Sequence, residues 1–119
     1  LVAHLIGSKY AFDTKEKILF LEDVGEYHYN LDRLVIQIKN AGLLAGLAGL
    51  IVGGFTDMRD KYTDFGATAF EIIKHHTAEY EYPICFDFPI SHDLQNFAVK
   101  EGGKYILEVR DNEVNLIEA

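Results

Sequence analysis

Apolar and polar positions along the chain fall into a small number of recognisable runs. Lys17-Ile18-Leu19-Phe20-Leu21-Glu22 is continuously apolar until it meets acids and Gly25, the pattern of a strand buried on both faces that opens onto a loop. A central strand is expected there. From Asn30 the period lengthens: Leu31, Leu34, Val35 and Ile38 form one helical stripe, with Asn30 as the expected cap, Asp32 near the positive end and Gly42 as the stop. Leu47-Ala48-Gly49-Leu50-Ile51-Val52-Gly53-Gly54 reads as a second buried strand whose paired glycines allow a sharp exit or a close backbone approach. Phe65, Ala69, Ile72, Ile73 and His76 predict a second amphipathic helix, capped by Thr63 or Asp64 and stopped by Pro83. Pro83 to Phe88 is a third short strand, and the alternation of strands and helices implies right-handed crossovers in a mainly parallel sheet. Lys104 to Val109 and Glu113 to Ile117 alternate apolar and polar residues around Asp111-Asn112, a hairpin signal. The fold class is therefore α/β, with flanking helices and a C-terminal β-hairpin.

Composition narrows the partners. With 119 residues, 49% of them hydrophobic, the chain is sized for one domain with a real core. The formal charge of −8 is scattered rather than blocked, which disfavours nucleic acid and anionic membrane surfaces as partners. No apolar run approaches the roughly 20 residues a membrane-spanning helix needs. Cys85 is the single cysteine, set among apolar residues, and reads as a core residue in a protein of a reducing compartment. Leu1 to Gly7 resembles the last turns of a helix ending at glycine, so the chain is expected to begin inside something longer.

Parallel sheets collect functional groups at the carboxyl ends of their strands. Two such ends carry chemistry: Glu22-Asp23-Val24-Gly25-Glu26 after the first strand and Phe88-Pro89-Ile90-Ser91-His92 after the third. Right-handed crossovers bring both to one edge, so a carboxylate and an imidazole about 70 positions apart can meet as orienting acid and base. Taken alone, an acidic loop after a strand is ordinarily a solvated cap and a loop histidine ordinarily polar surface. Glu26, one turn beyond Glu22, is a competing acid, although Glu22 ends a rigid strand and is preferred. His75-His76 with Glu79 offers an i, i+4 pair without a third ligand, so no metal is expected. Tyr27 and Tyr29 adjoin Glu22 and are the candidate substrate contacts. A nucleophile is missing: Ser8 follows a helix-ending glycine, Ser91 is the immediate neighbour of His92, and Cys85 has no cation nearby to activate it.

The stretch Leu19 to Glu26 with Tyr29, Asp32 and Arg33, then Ala45 to Phe55, then Phe88-Pro89 with His92, resembles the C-terminal domain of the LD-carboxypeptidases, the muramoyl-tetrapeptide carboxypeptidase family of serine peptidases. The resemblance runs over essentially the whole chain. Two departures stand out: Asp87 occupies a position where glycine or another small residue is common, and Ser91 replaces the glycine before the histidine. The resemblance implies a swivelling β/β/α-type domain, residues 1–119, that supplies Glu22 and His92 to a Ser-Glu-His triad. The serine would come from the protein's own N-terminal domain, outside this chain, and the isolated chain would be inactive. It implies further a murein peptide substrate, L,D-linked and ending in a D-amino acid, cytoplasmic peptidoglycan recycling, and no cofactor. Homodimerisation stays open. A microcin-immunity type of amide hydrolase, with the same triad, is the alternative within the family; a non-catalytic binding or dimerisation module is the alternative outside it.

Overall fold

The computed structural model describes residues 1–119. Its elements are α1 (Val2–Leu5), β1 (Ile18–Val24), α2 (His28–Asn40), β2 (Gly49–Thr56), α3 (Ala69–Thr77), β3 (Ile84–Phe88), β4 (Tyr105–Arg110) and β5 (Glu113–Glu118). Strands β1, β2 and β3 form a parallel sheet in that order, joined through α2 and α3. Strands β4 and β5 pair antiparallel across Asp111-Asn112 as a separate two-stranded hairpin. The expected mixed α/β class and the hairpin are both present.

Side chains alternate across the sheet, and the alternation sorts its two faces. Leu19, Leu50 and Val52 pack with Leu31, Val35 and Ile38 of α2 and Ile72 and Ile73 of α3 in one buried cluster. Phe20, Ile51 and Cys85, which lie side by side in register, take the opposite parity. That second face is where Glu22 falls, two residues beyond Phe20. The hairpin approaches it from below: a Cβ on Gly49 would sit 2.7 Å from a methyl of Leu107.

Strand β1 is not central. It pairs only with β2 and forms an edge of the sheet, with Leu19 its one buried residue, whereas Gly49 to Gly54 of β2 are buried without interruption. An apolar run reports burial but not neighbours, and successive crossovers in one direction leave the first strand outermost.

Both helix caps also differ from expectation. Helix α2 starts at His28 after Tyr27, with no side-chain cap, because the His28 amide donates to the Arg59 carbonyl at 3.0 Å across two loops. Helix α3 is capped by Thr68, whose hydroxyl accepts from the Glu71 amide while the Glu71 carboxylate takes the Thr68 amide, a reciprocal capping box. Those hydrogen bonds hold the Glu71 carboxyl below its usual range. Asp64 instead accepts from the Gly66 amide in the preceding turn.

Tyr80 and Tyr82 stack at 5.3 Å beside the helices, and the buried Tyr82 hydroxyl has no hydrogen-bond partner. Burial pushes its pKa up to about 12. Tyr82→Phe is therefore expected to stabilise the protein by about 1 kcal/mol in urea denaturation near neutral pH, since an unpaired buried hydroxyl is removed. Stability of the unsubstituted protein should fall as pH rises from the ordinary tyrosine range towards about 12, because the unfolded chain releases this proton first. The Tyr82→Phe protein should lose that part of the slope.

Candidate active site

Two irregularities in the sheet build the site. Between Leu21 and Asp23, β1 advances two residues while β2 advances three, from Val52 to Phe55, so β2 carries an extra residue at Gly53-Gly54. Between Ile51 and Gly53 the shortfall recurs one strand over, where β3 runs from Cys85 to Phe88 and carries the extra residue around Asp87. Bulges of this kind bend a strand and re-aim the side chains beyond it. Asp87 takes φ +55°, the left-handed region that glycine occupies freely and aspartate tolerates better than most residues. The position where the resemblance expects glycine is thus one where the backbone calls for it. Asp87→Gly should be neutral to within about 0.5 kcal/mol, and Asp87→Val should cost about 1–2 kcal/mol in thermal or urea unfolding.

Past the second bulge the chain folds back over the first. A Cβ on Gly53 would collide with the Ile90 carbonyl and the Phe20 ring, and one on Gly54 would lie 2.7 Å from the Ser91 Cβ. The paired glycines are the floor on which residues 90 and 91 rest. Ser91 Oγ then accepts from the Asp93 amide at 3.0 Å, and Asn96 Oδ1 accepts from the Ser91 amide at 3.4 Å, tying the loop into a turn.

This path carries His92 to Glu22. His92 Nδ1 lies 2.7 Å from Glu22 Oε2, although the residues are 70 positions apart. An ionised carboxylate only accepts, so Nδ1 is the donor, and in the neutral ring Nε2 keeps its lone pair. The imidazole is 58% exposed and the carboxylate 26%, so the acid is sheltered by the sheet while the base faces outward. Phe20, Glu22, Ile90, Ser91, His92, Asp93 and Asn96 line an open cleft of about 450 Å³ around the pair. Chemically, this is a base with a fixed tautomer, open to a hydroxyl brought from elsewhere.

The other candidates are placed apart from it. Glu26 turns back to accept from the Tyr27 amide at 2.7 Å, which leaves Glu22 as the acid that meets the histidine. Tyr27 and Tyr29 stack on each other at 5.7 Å, and the Arg59 guanidinium sits 5.2 Å over Tyr27. Neither tyrosine lines the cleft. Ser8 donates to the Leu5 carbonyl at 2.8 Å in the turn after α1, away from the sheet edge. His76 is buried between the helices, with Nε2 2.7 Å from Asp32 Oδ1. No group of three or more His, Cys, Asp or Glu side chains is arranged to hold a metal ion. Cys85 is buried, and burial pushes its thiol up, away from nucleophilic use. Phe20, Asp93 and Asn96 line the cleft without having been singled out from the sequence. Phe20 was within reach of the two-residue period it shares with Glu22; Asp93 and Asn96 join the cleft only through the curl of the loop.

A family model described as LD-carboxypeptidase C-terminal domain matches residues 1–107. The chain belongs to that family. Among relatives of this LD-carboxypeptidase C-terminal domain, a murein tetrapeptide carboxypeptidase of Pseudomonas aeruginosa is 33% identical over 91 residues, covering 76% of this chain and 29% of the relative. A muramoyltetrapeptide carboxypeptidase of Oxalobacter formigenes has the same fold, with a TM-score of 0.84 at 24% identity over 98% of this chain and 41% of that one. The microcin C7 self-immunity protein MccF shares the fold over 74% of this chain and 26% of its own, with a TM-score of 0.62 at 20% identity. The chain spans about a third of the length of the curated relatives it matches. Within it, no helix is long and apolar enough to cross a membrane.

Proposed function

We propose that this LD-carboxypeptidase C-terminal domain supplies the base and the orienting acid of a serine peptidase that releases a terminal D-amino acid from L,D-linked murein peptides. The observation that carries the reading is the 2.7 Å contact between His92 Nδ1 and Glu22 Oε2, with Nε2 left open to the cleft. In the proposed reaction, Nε2 takes the proton of a serine hydroxyl from a second domain as its oxygen attacks the scissile carbonyl. The proton then passes to the departing amine as the C–N bond breaks, and water resolves the acyl-enzyme by the same route. Glu22 holds the ring and balances the imidazolium. Tyr27, just before α2, and Tyr29, in its first turn, are the proposed contacts for the remainder of the peptide.

The relatives, which are about three times longer than this chain, support a separate nucleophile domain. The free, buried Cys85 fits a reducing compartment, and cytoplasmic recycling of murein peptides is the proposed setting. A homodimer is compatible with the reading and is not needed for the chemistry. The test is D-alanine release from an L,D-linked tetrapeptide by the full-length protein and by the isolated domain under the same conditions. Release by the full-length protein alone is the expected result. Robust turnover by the isolated domain would assign the chemistry to Ser8 or Ser91 and overturn the reading.

A further inference from the structure

Beside His92 the cleft carries two neutral polar side chains, Ser91 and Asn96. Each has an acceptor engaged inside the loop: Ser91 Oγ takes the Asp93 amide and Asn96 Oδ1 takes the Ser91 amide. A carboxamide held by its oxygen keeps two N–H donors, and a hydroxyl that accepts can still donate its O–H. The two side chains are thus arranged as donors towards whatever enters. Of the other lining residues, Phe20 and Ile90 are apolar, Glu22 is taken up by His92, and Asp93 is an acceptor when ionised. Neither lysine nor arginine lines the cleft. Among this chain's lining residues an anionic group would meet Glu22 and Asp93 with no lysine or arginine to offset them, whereas a neutral acceptor would be matched by the donors.

We propose that Asn96 and Ser91 are specificity-determining residues that hydrogen-bond a backbone carbonyl of the bound peptide next to the scissile bond, leaving its terminal carboxylate outside this cleft. The inference rests on the peptidase reading above. It also gives a role to Ser91, where the family resemblance expects glycine: the hydroxyl is an added donor at the base's own loop.

The experiment measures D-alanine release by the full-length protein carrying Asn96→Asp or Ser91→Gly. Asn96→Asp keeps the acceptor for the Ser91 amide, removes the donor and adds a negative charge, so the carboxamide inhibitor below, which carries no terminal anion, separates loss of the donor from repulsion of a carboxylate. Expected is a rise in KM of about 10-fold for Asn96→Asp and about 3-fold for Ser91→Gly, with kcat within about 3-fold, as for lost uniform binding. The C-terminal carboxamide of the same peptide, used as a competitive inhibitor, should lose affinity by the same factors. If the unsubstituted protein releases D-alanine and both variants keep its KM, this inference fails while the peptidase reading stands. If the penalties vanish for the carboxamide, the carboxylate is the bound group and the inference also fails. No release by the unsubstituted protein would count against the peptidase reading itself.

Discussion

His92→Ala in the full-length protein should lower turnover on an L,D-linked tetrapeptide by about a million-fold, and Glu22→Gln by about ten-thousand-fold. The asymmetry follows from what each group does. In the proposed reaction, loss of His92 leaves nothing to remove the proton from the attacking hydroxyl or return it to the leaving amine, and no second imidazole lines the cleft. Glu22→Gln keeps a hydrogen-bonding group 2.7 Å from Nδ1 but replaces an obligatory acceptor by an amide able to donate, so the ring populates the wrong tautomer and its cation loses a counter-charge. Initial rates at saturating peptide, with unfolding midpoints measured alongside, separate this loss from misfolding. A His92→Ala protein that folds and retains turnover within 10-fold of the parent would remove His92 from the chemistry. Equal, complete loss in both variants would leave His92 as the base but make Glu22 more than an orienting group.

Gly53→Ala should cost about 1–3 kcal/mol of stability and most of the activity, although residue 53 touches no reacting atom. Its new methyl would meet the Ile90 carbonyl on one side and the Phe20 ring at 2.9 Å on the other, in a strand paired with a neighbour on both sides. Relief requires lifting the segment Pro89 to His92, which takes the imidazole off Glu22. Gly54→Ala meets only the Ser91 side chain, at 2.7 Å to its Cβ. Ser91→Gly should therefore rescue Gly54→Ala and leave Gly53→Ala unrescued. A cycle of single and double variants, read by urea denaturation and by D-alanine release, tests the coupling. Additive effects at 54 and 91, within about 0.5 kcal/mol, would mean that the two positions do not share the space the structure gives them.

Local pattern was enough for much of this protein. The apolar runs at Ile18 to Leu21 and Leu50 to Val52, the stripe Leu31, Val35 and Ile38, and the alternation around Asp111-Asn112 each became the expected element, because burial period and turn chemistry act over a few residues. Family resemblance singled out Glu22 and His92, and the strand-end argument brought them to one edge. Other features depended on contacts between distant segments. Strand β1 is an edge and β2 the centre because pairing order is a property of the crossovers, not of any one strand's composition. Helix α2 needs no side-chain cap because the Arg59 carbonyl, from another loop, takes up its first amide. Sequence reasoning preferred Glu22 to Glu26 because it ends a strand, and in the structure Glu22 contacts His92 while Glu26 folds back onto the Tyr27 amide. The sequence suggested that Gly53-Gly54 admits a close backbone approach; which segment approaches, and that it carries the imidazole, was decided only by staggered bulges in β2 and β3. Those offsets arise from strand register, which couples residues more than thirty positions apart and so leaves no periodic trace in either strand alone.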